Sequence, residues 1–330
     1  MDFRFNFIKI SEKCQKTPIF NGYTITGRVG QGSFGPIFSV SKNHKDYALK
    51  IQPRKINGKP STVQKEASLL LKLNPHGDKY FPTFKMAGEN VKCAFIVMNL
   101  LGRSLKDLRL MSPNPDSLTP GTWSRIGIQC LYVLKQLHDG AVVHGDVKPT
   151  NYVLGNPTDC LKSRIFYLID FAIAQKFIGR VDDLYSLLYM TAELKKPLPW
   201  TYLEGNELIL KKKNAKLTEL FDNDEFLKVQ TMIESFSYRD FPNYGLLFET
   251  FLEVFLKSGS TWMSPYDWEG ENMPSFQEWV KEANKPRHLF QWEVPEVVNY
   301  LRTDFYTTLK KDVPRAEKRN KKKAHSNTQK

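Results

Sequence analysis

No stretch of this 330-residue chain stays apolar for long enough to span a bilayer. The opening Met1-Asp2-Phe3-Arg4-Phe5-Asn6 lacks the basic-then-apolar layout of a secretory leader. Cysteine is scarce: Cys14, Cys93, Cys130 and Cys160 stand apart, with no C-x-x-C pair. That excludes the ligand spacing of a zinc ribbon and the dense framework of a small disulfide-bonded domain, and it predicts reduced thiols. Internal repeats are absent as well. These absences lead to the expectation of an intracellular soluble protein, in cytoplasm, nucleus or both, with no membrane association.

What the chain does contain is core-forming material and an uneven charge. Apolar residues make up 41% of it, enough for a globular core, and the length fits one large two-lobed domain, or two ordinary ones, plus a tail. The net charge is +13, and residues 310–330 hold nine Lys/Arg against two acids. Lys318-Arg319-Asn320-Lys321-Lys322-Lys323 lies there, followed by a polar run that cannot bury enough surface to fold. The expectation is a disordered basic tail, serving as a nuclear-import signal or as an electrostatic handle for acidic partners. No nucleic-acid module accompanies it, so specific nucleic-acid binding is not expected.

Up to about Asn99 the pattern is strand-rich. Tyr23-Thr24-Ile25, Ile37 to Val40, Tyr47 to Ile51 and Ala94 to Met98 read as short strands between turn residues. One helix interrupts them, with Ser61 as its cap and Gln64 completing a capping box. Val63, Ala67, Leu70 and Leu71 form its expected apolar stripe. Beyond Gly102 the pattern turns helical. Trp123, Ile126, Cys130, Leu131, Leu134 and Leu137 mark a buried helix that stops near Asp139-Gly140. Leu184, Leu187, Leu188 and Thr191 mark a second helix, and Leu247, Phe251, Val254 and Phe255 a third. A β-rich part followed by a larger helical part is predicted, with a hinge near Asn99 to Gly102.

The chemistry concentrates in three places. Gly30-Gln31-Gly32-Ser33-Phe34-Gly35 sits between two predicted strands, where glycines let a backbone approach phosphates. Lys50 follows on the next strand. A buried lysine needs an anion, and Glu66 on the capped helix is its natural partner. Then comes His144-Gly145-Asp146-Val147-Lys148-Pro149-Thr150-Asn151, and nineteen residues after Asn151 the pair Asp170-Phe171 follows a strand-like run. Asp146 has the position of a base for a substrate hydroxyl. Lys148 can neutralise charge on a transferred phosphoryl group, and Asn151 and Asp170 offer oxygen ligands suited to magnesium. His144 reads as a core histidine that holds the loop backbone.

These motifs resemble the eukaryotic protein kinases. Val97 to Leu105, Gly179 to Leu187, Leu198-Pro199-Trp200 and Pro265-Tyr266-Asp267-Trp268-Glu269 are similar to the casein kinase 1 group. The last of these, with Phe241-Pro242-Asn243-Tyr244, leans toward its tau-tubulin kinase branch. The resemblance implies an α+β, bilobal kinase fold: a small β-rich lobe over about 20–99, a helical lobe over about 100–270, and extensions at 1–19 and 271–309. It implies a serine/threonine kinase using ATP and Mg2+, acting as a monomer on protein substrates, acidic ones included. Val29, Gly30, Gly32, Gly35, Ile37 and Ala48 would line the ATP site. Met98 would be the gatekeeper and Asn99 to Leu101 the hinge facing adenine. Lys50 would hold the α/β-phosphates while paired with Glu66, and Asp183 would anchor the catalytic-loop backbone.

The departures from that pattern are concentrated. Gly145 replaces the usual Arg of the catalytic loop, as in vaccinia-type kinases, and Ala172 replaces the Gly after Asp-Phe. Pro36 removes one backbone N–H beside the glycine loop. Only twelve residues separate Asp170 from Asp183. They span at most about 40 Å, enough to join the two ends and too few to build a substrate platform as well. Two readings follow: an active kinase with an impaired platform, or an ATP-binding pseudokinase that serves as scaffold or allosteric partner of an active kinase.

Overall fold

The computed structural model describes residues 19–283, less 33, 78–79, 92, 160–161, 177–178, 237–240 and 271–273. The basic tail, Cys14, Cys160, residues 1–18 and residues 284–309 lie outside the described residues. Two compact units are present: one runs up to Gly102 and takes in Asp170–Ala172, and the other comprises the remainder.

The first unit contains β1 (Ile19–Phe20), β2 (Tyr23–Gly32), β3 (Gly35–Lys42), β4 (Lys45–Pro53), β5 (Lys55–Ile56), β6 (Lys59–Pro60), α1 (Val63–Leu73), β7 (Phe84–Glu89) and β8 (Cys93–Asn99). Six strands form one antiparallel sheet in the order β1-β2-β3-β4-β8-β7, and β5 and β6 form a separate hairpin. Two-residue turns close three of the hairpins. Asn21-Gly22, Asn43-His44 and Asn57-Gly58 all have positive φ, the conformation that matches strand twist.

Strand alternation separates the sheet into two faces. Val40, Leu49, Phe95 and Val97 share one, and with Tyr23 they make a buried cluster closed by Phe20, Ile25, Phe38, Tyr47, Ile51 and Met86. The register Ile37–Lys50–Ile96 and Ser39–Ala48–Met98 puts the alternate residues on the other face. There α1 packs against β7 and β8, burying Val63, Glu66, Ala67, Leu70 and Leu73. Each large aliphatic residue buried this way contributes about 1.5–3 kcal/mol.

Two details of α1 differ from the sequence expectation. The cap is Thr62, not Ser61, and no capping box forms. Gln52 on β4 explains this, because its Oε1 accepts from both Thr62 N and Thr62 Oγ1 and so engages the residue that would otherwise cap. Leu71 is 51% exposed, because the buried stripe runs through Glu66 and Leu73 and turns position 71 outward.

The second unit contains α2 (Leu105–Met111), α3 (Pro120–Asp139), β9 (Val142–Val143), β10 (Tyr152–Leu154), β11 (Phe166–Leu168), β12 (Gln175–Lys176), α4 (Arg180–Lys195), α5 (Gly205–Lys213), α6 (Leu217–Phe221), α7 (Phe226–Ser235), α8 (Tyr244–Lys257) and α9 (Pro274–Ala283). Buried α3 is the centre, packed by α4 and α8. Its N-terminus is capped from far along the chain: Asp267 accepts from Thr119 N, Thr119 Oγ1 and Thr122 Oγ1. At its other end Gly140 keeps an ordinary negative φ, and Ala141 takes the left-handed one. Arg125, inside α3, donates to the carbonyls of Thr261, Trp262, Ser264 and Pro265 and lies 3.8 Å over the Tyr266 ring, tying the segment before α9 to the core. Trp279 on α9 is buried with the Arg164 guanidinium 4.0 Å over its ring. Among the described residues no helix is long and apolar enough to cross a membrane.

Candidate functional site

In the first unit the glycine hairpin joins β2 to β3, with Gly30 opposite Ile37 and Gly32 opposite Gly35. The pairing shifts register between Arg28 and Gly30, and Val29 within that bulge is 53% exposed. A Cβ on Gly35 would fall 1.9 Å from Ile51 O, so only glycine fits where β3 passes β4. A Cβ on Gly32 would point at Ile37 Cδ1 and, 3.7 Å away, Lys50 Cε. The hairpin therefore leaves its side-chain positions empty over the Lys50 face, with open space at Gly30.

Lys50 itself is 3% exposed. Its Nζ lies 3.0 Å from Glu66 Oε2 and 2.6 Å from Asp170 Oδ1. The contact with Asp170 was not legible in the sequence, which gives no distance between residues 120 positions apart. Burial acts to lower the Lys50 ammonium, but the two carboxylates outweigh it and hold it above its usual range. Glu66 is pushed up by its own burial and by Asp170, against the pull of Lys50. One cation shared by two carboxylates leaves this cluster net negative. Asp170 also adopts φ +66, unusual for a residue with a side chain. Phe171 next to it is fully buried and meets Phe81 edge-on at 5.8 Å.

Ala48 and Met98 sit opposite each other on the same face as Lys50. Asn99 is tied to Thr83: its N–H donates to Thr83 O, and its Oδ1 accepts from Thr83 N at 2.6 Å. Leu101, two residues on, is half-buried.

In the second unit the loop from His144 to Asn151 is held from beneath. Asp183, on the first turn of α4, accepts from His144 N at 2.7 Å and from Gly145 N at 2.8 Å. His144 is buried, with Nε2 against Ile169 O and Nδ1 accepting from Asp146 N. Asn151 Nδ2 donates to Asp146 O and Oδ2, which leaves Asn151 Oδ1 as its remaining polar atom. Lys148 Nζ lies 2.6 Å from Asp146 Oδ2, and both side chains reach solvent.

Two residues missed in the sequence complete this support. His138 Nε2 lies 3.0 Å from Asp183 Oδ2, and Tyr244 Oη lies 2.5 Å from His138 Nδ1. Burial pushes the His138 imidazole down, even beside Asp183. The neutral ring therefore donates through Nε2–H and accepts the Tyr244 hydroxyl at Nδ1. Burial acts to raise the Asp183 carboxyl, while His138 and the two loop amides together hold it below its usual value. The only sequence signal for His138 was its place in the last turn of a helix that is buried all round.

Residues 23–197 match the protein kinase domain model. A Caenorhabditis elegans protein named for casein kinase I is 31% identical over 292 residues, covering 76% of this chain and 84% of its own length. The chain belongs to the protein kinase family, in its casein kinase I group.

Two further relatives frame this kinase homologue. A Dictyostelium discoideum protein named as a serine/threonine-protein kinase is 29% identical over 286 residues, and the chain spans only 56% of its length. A Caenorhabditis elegans protein named as an inactive tau-tubulin kinase is 29% identical over 252 residues, 62% of this chain and 86% of the relative. The α+β order of sheet and then helices accords with the kinase fold.

Proposed function

We propose that this protein binds Mg-ATP on the Lys50 face of its sheet, and that its transfer of phosphoryl groups to Ser/Thr of proteins is weak. The observation that carries the binding reading is the buried Lys50 ammonium beneath the glycine hairpin. A fixed cation below empty glycine positions suits a phosphate chain. The apolar side chains of Val29, Ile37, Ala48 and Met98 suit a purine, with backbone from Asn99 to Leu101 at its edge. Of those hinge groups, Asn99 N–H is committed to Thr83, which leaves the recognition to its neighbours.

Asp170, its carboxylate already turned to a cation, suits magnesium once Lys50 takes phosphate oxygen instead. In the second unit Asn151 Oδ1 is the atom suited to a hard cation. Bound Mg-ATP supplies the phosphoryl group and neutralises its charge. Asp146 would accept the hydroxyl proton of a substrate, and Lys148 would stabilise negative charge as the group moves. His144 and Asp183 hold that loop rather than react.

The weakness of transfer follows from the short passage between Asp170 and Asp183. Within it β12 is already paired to β9, with Gln175 opposite Val143, and α4 begins at Arg180. Positioning supplies much of the catalysis in phosphoryl transfer, so loss of the platform costs several orders of magnitude. The same short passage, together with a relative named as inactive, favours a second reading: a nucleotide-binding scaffold or allosteric partner of an active kinase.

Mg-ATP at about 100 times its Kd is expected to stabilise the fold by about 2.7 kcal/mol, seen as a rise of several degrees in melting temperature. No rise at millimolar nucleotide would end the binding reading. With casein as substrate, wild-type labelling should be slow and absent in Asp146→Asn, while that variant keeps the thermal shift. Equal labelling by the variant would show that Asp146 is not the base.

A further inference from the structure

Among the described helices, α5 differs in how it is held. Its nine residues include no buried side chain. A helix this short does not persist on local propensity, so it must be fixed by what it touches. The side carrying Leu208 and Lys212 is half-covered, and Tyr189 on α4 donates from its hydroxyl to Lys212 O. Tyr189 in turn packs edge-on against buried Trp200 at 5.1 Å and lies 5.9 Å from Tyr185. The Tyr189 hydroxyl is thus a tie from α4 to the last turn of α5.

Its outer side is different. Asn206, Ile209, Leu210 and Lys213 fall at i, i+3, i+4 and i+7, one stripe of a helix. Ile209 is 62% exposed and Leu210 59%. Single exposed apolar residues are ordinary, but here two adjoin on the outward face of one short helix. The last turn carries Lys211, Lys212 and Lys213. None of the three has an acidic partner among the described residues. Neighbouring surface lysines do: Lys195 and Lys196 both meet Asp222, and Lys216 meets Glu219.

We propose that the outer face of α5 is a docking surface for an acidic protein segment that also carries apolar side chains. Ile209 and Leu210 are its apolar contacts, Lys213 on the same stripe faces its carboxylates, and Lys211 adds positive charge from the flank of the helix. The apolar pair decides against nucleic acid, whose phosphates would need the lysines alone. The two exposed aliphatic residues of α5 also offer too little apolar surface to hold a membrane interface. Helix-to-helix recognition uses this stripe spacing. Tyr189 lies six residues along α4 from Asp183, about 9 Å of helix rise. α5 and the loop that Asp183 supports are thus both tied to α4. The docking surface does not depend on nucleotide binding.

The test uses the full chain and a fluorescein-labelled 18-residue helical peptide of Glu and Leu, with Leu at i, i+3, i+4 and i+7. Fluorescence anisotropy should show binding by wild type, and at least tenfold weaker binding by Ile209→Asp/Leu210→Asp and by Lys211→Glu/Lys213→Glu. A scrambled peptide of the same composition should also bind at least tenfold more weakly. All four positions are exposed, so melting temperature and the Mg-ATP shift should match wild type and confirm intact folding. Three results would overturn the proposal. One is no binding by wild type. Another is sensitivity to the lysine variant alone, which would mean general attraction to polyanions. The third is tighter binding of a single-stranded oligonucleotide, or of phosphatidylserine vesicles, than of the peptide.

Discussion

Lys50→Ala is expected to abolish the Mg-ATP thermal shift and to lower stability by about 3–5 kcal/mol, the usual cost of removing one partner from a buried ion pair. Lys50 is 3% exposed and Glu66 2%, so water does not replace the lost ammonium. Two carboxylates, Glu66 and Asp170, would then face each other without a cation. The deficit should depend on pH. Glu66 already sits above its usual value of 4.5, and without Lys50 it rises further. A carboxyl raised in the folded state favours folding below its unfolded value and loses that benefit as pH rises through the folded one. Denaturant unfolding should therefore show the variant closest to wild type near pH 5 and furthest from it at pH 8. A loss of stability independent of pH would mean that the cluster is not held as described.

Asp183→Ala is the second large effect. The carboxylate serves three donors: His144 N–H, Gly145 N–H and His138 Nε2–H. Each buried donor left without an acceptor costs about 1–3 kcal/mol. A total of several kcal/mol corresponds to a fall of about 10 °C in melting temperature for a unit this size. Asp183→Asn should be nearly as damaging, since its amide nitrogen would meet an N–H where an oxygen now accepts.

The support also sets the response to acid. His138 has its folded pKa below 6.5, so its contribution is complete above pH 6.5 and is lost as pH falls, because the unfolded chain takes up the proton first. Asp183 adds a second loss below its usual 3.8. Wild type should lose stability between pH 7 and pH 5.5, and His138→Gln should flatten that slope. An unchanged slope in His138→Gln would assign the acid sensitivity elsewhere.

Much of this arrangement could be read in advance, for a physical reason. Residues whose chemistry demands a partner announce it locally. A lysine in Tyr47 to Ile51, amid apolar residues, needed an anion, and Glu66 was within one helix of it. Regular alternation in β3, β4 and β8 fixed which side chains share a face. What stayed hidden depends on long-range placement. Asp170 against Lys50, Tyr244 against His138 and Asp267 at the head of α3 are pairs separated by 106 to 148 positions, and spacing carries no information about them. The cap of α1 was misread because Gln52, from a different element, takes up Thr62. β7 was missed because Phe84 to Glu89 mixes lysine, glycine and alanine and lacks the β-branched residues that signal a strand.

Gly145 has a φ of +75. Space is not the obstacle to a larger residue there, since a Cβ would meet nothing nearer than Ile173 Cδ1 at 3.8 Å. The backbone is. A side chain in that left-handed conformation costs about 1–2 kcal/mol. An arginine at position 145 would therefore either carry that strain or turn a peptide whose N–H is fastened to Asp183. Gly145 and Asp183 thus act as one unit, in which the residue type at 145 and the anchor at 183 are coupled.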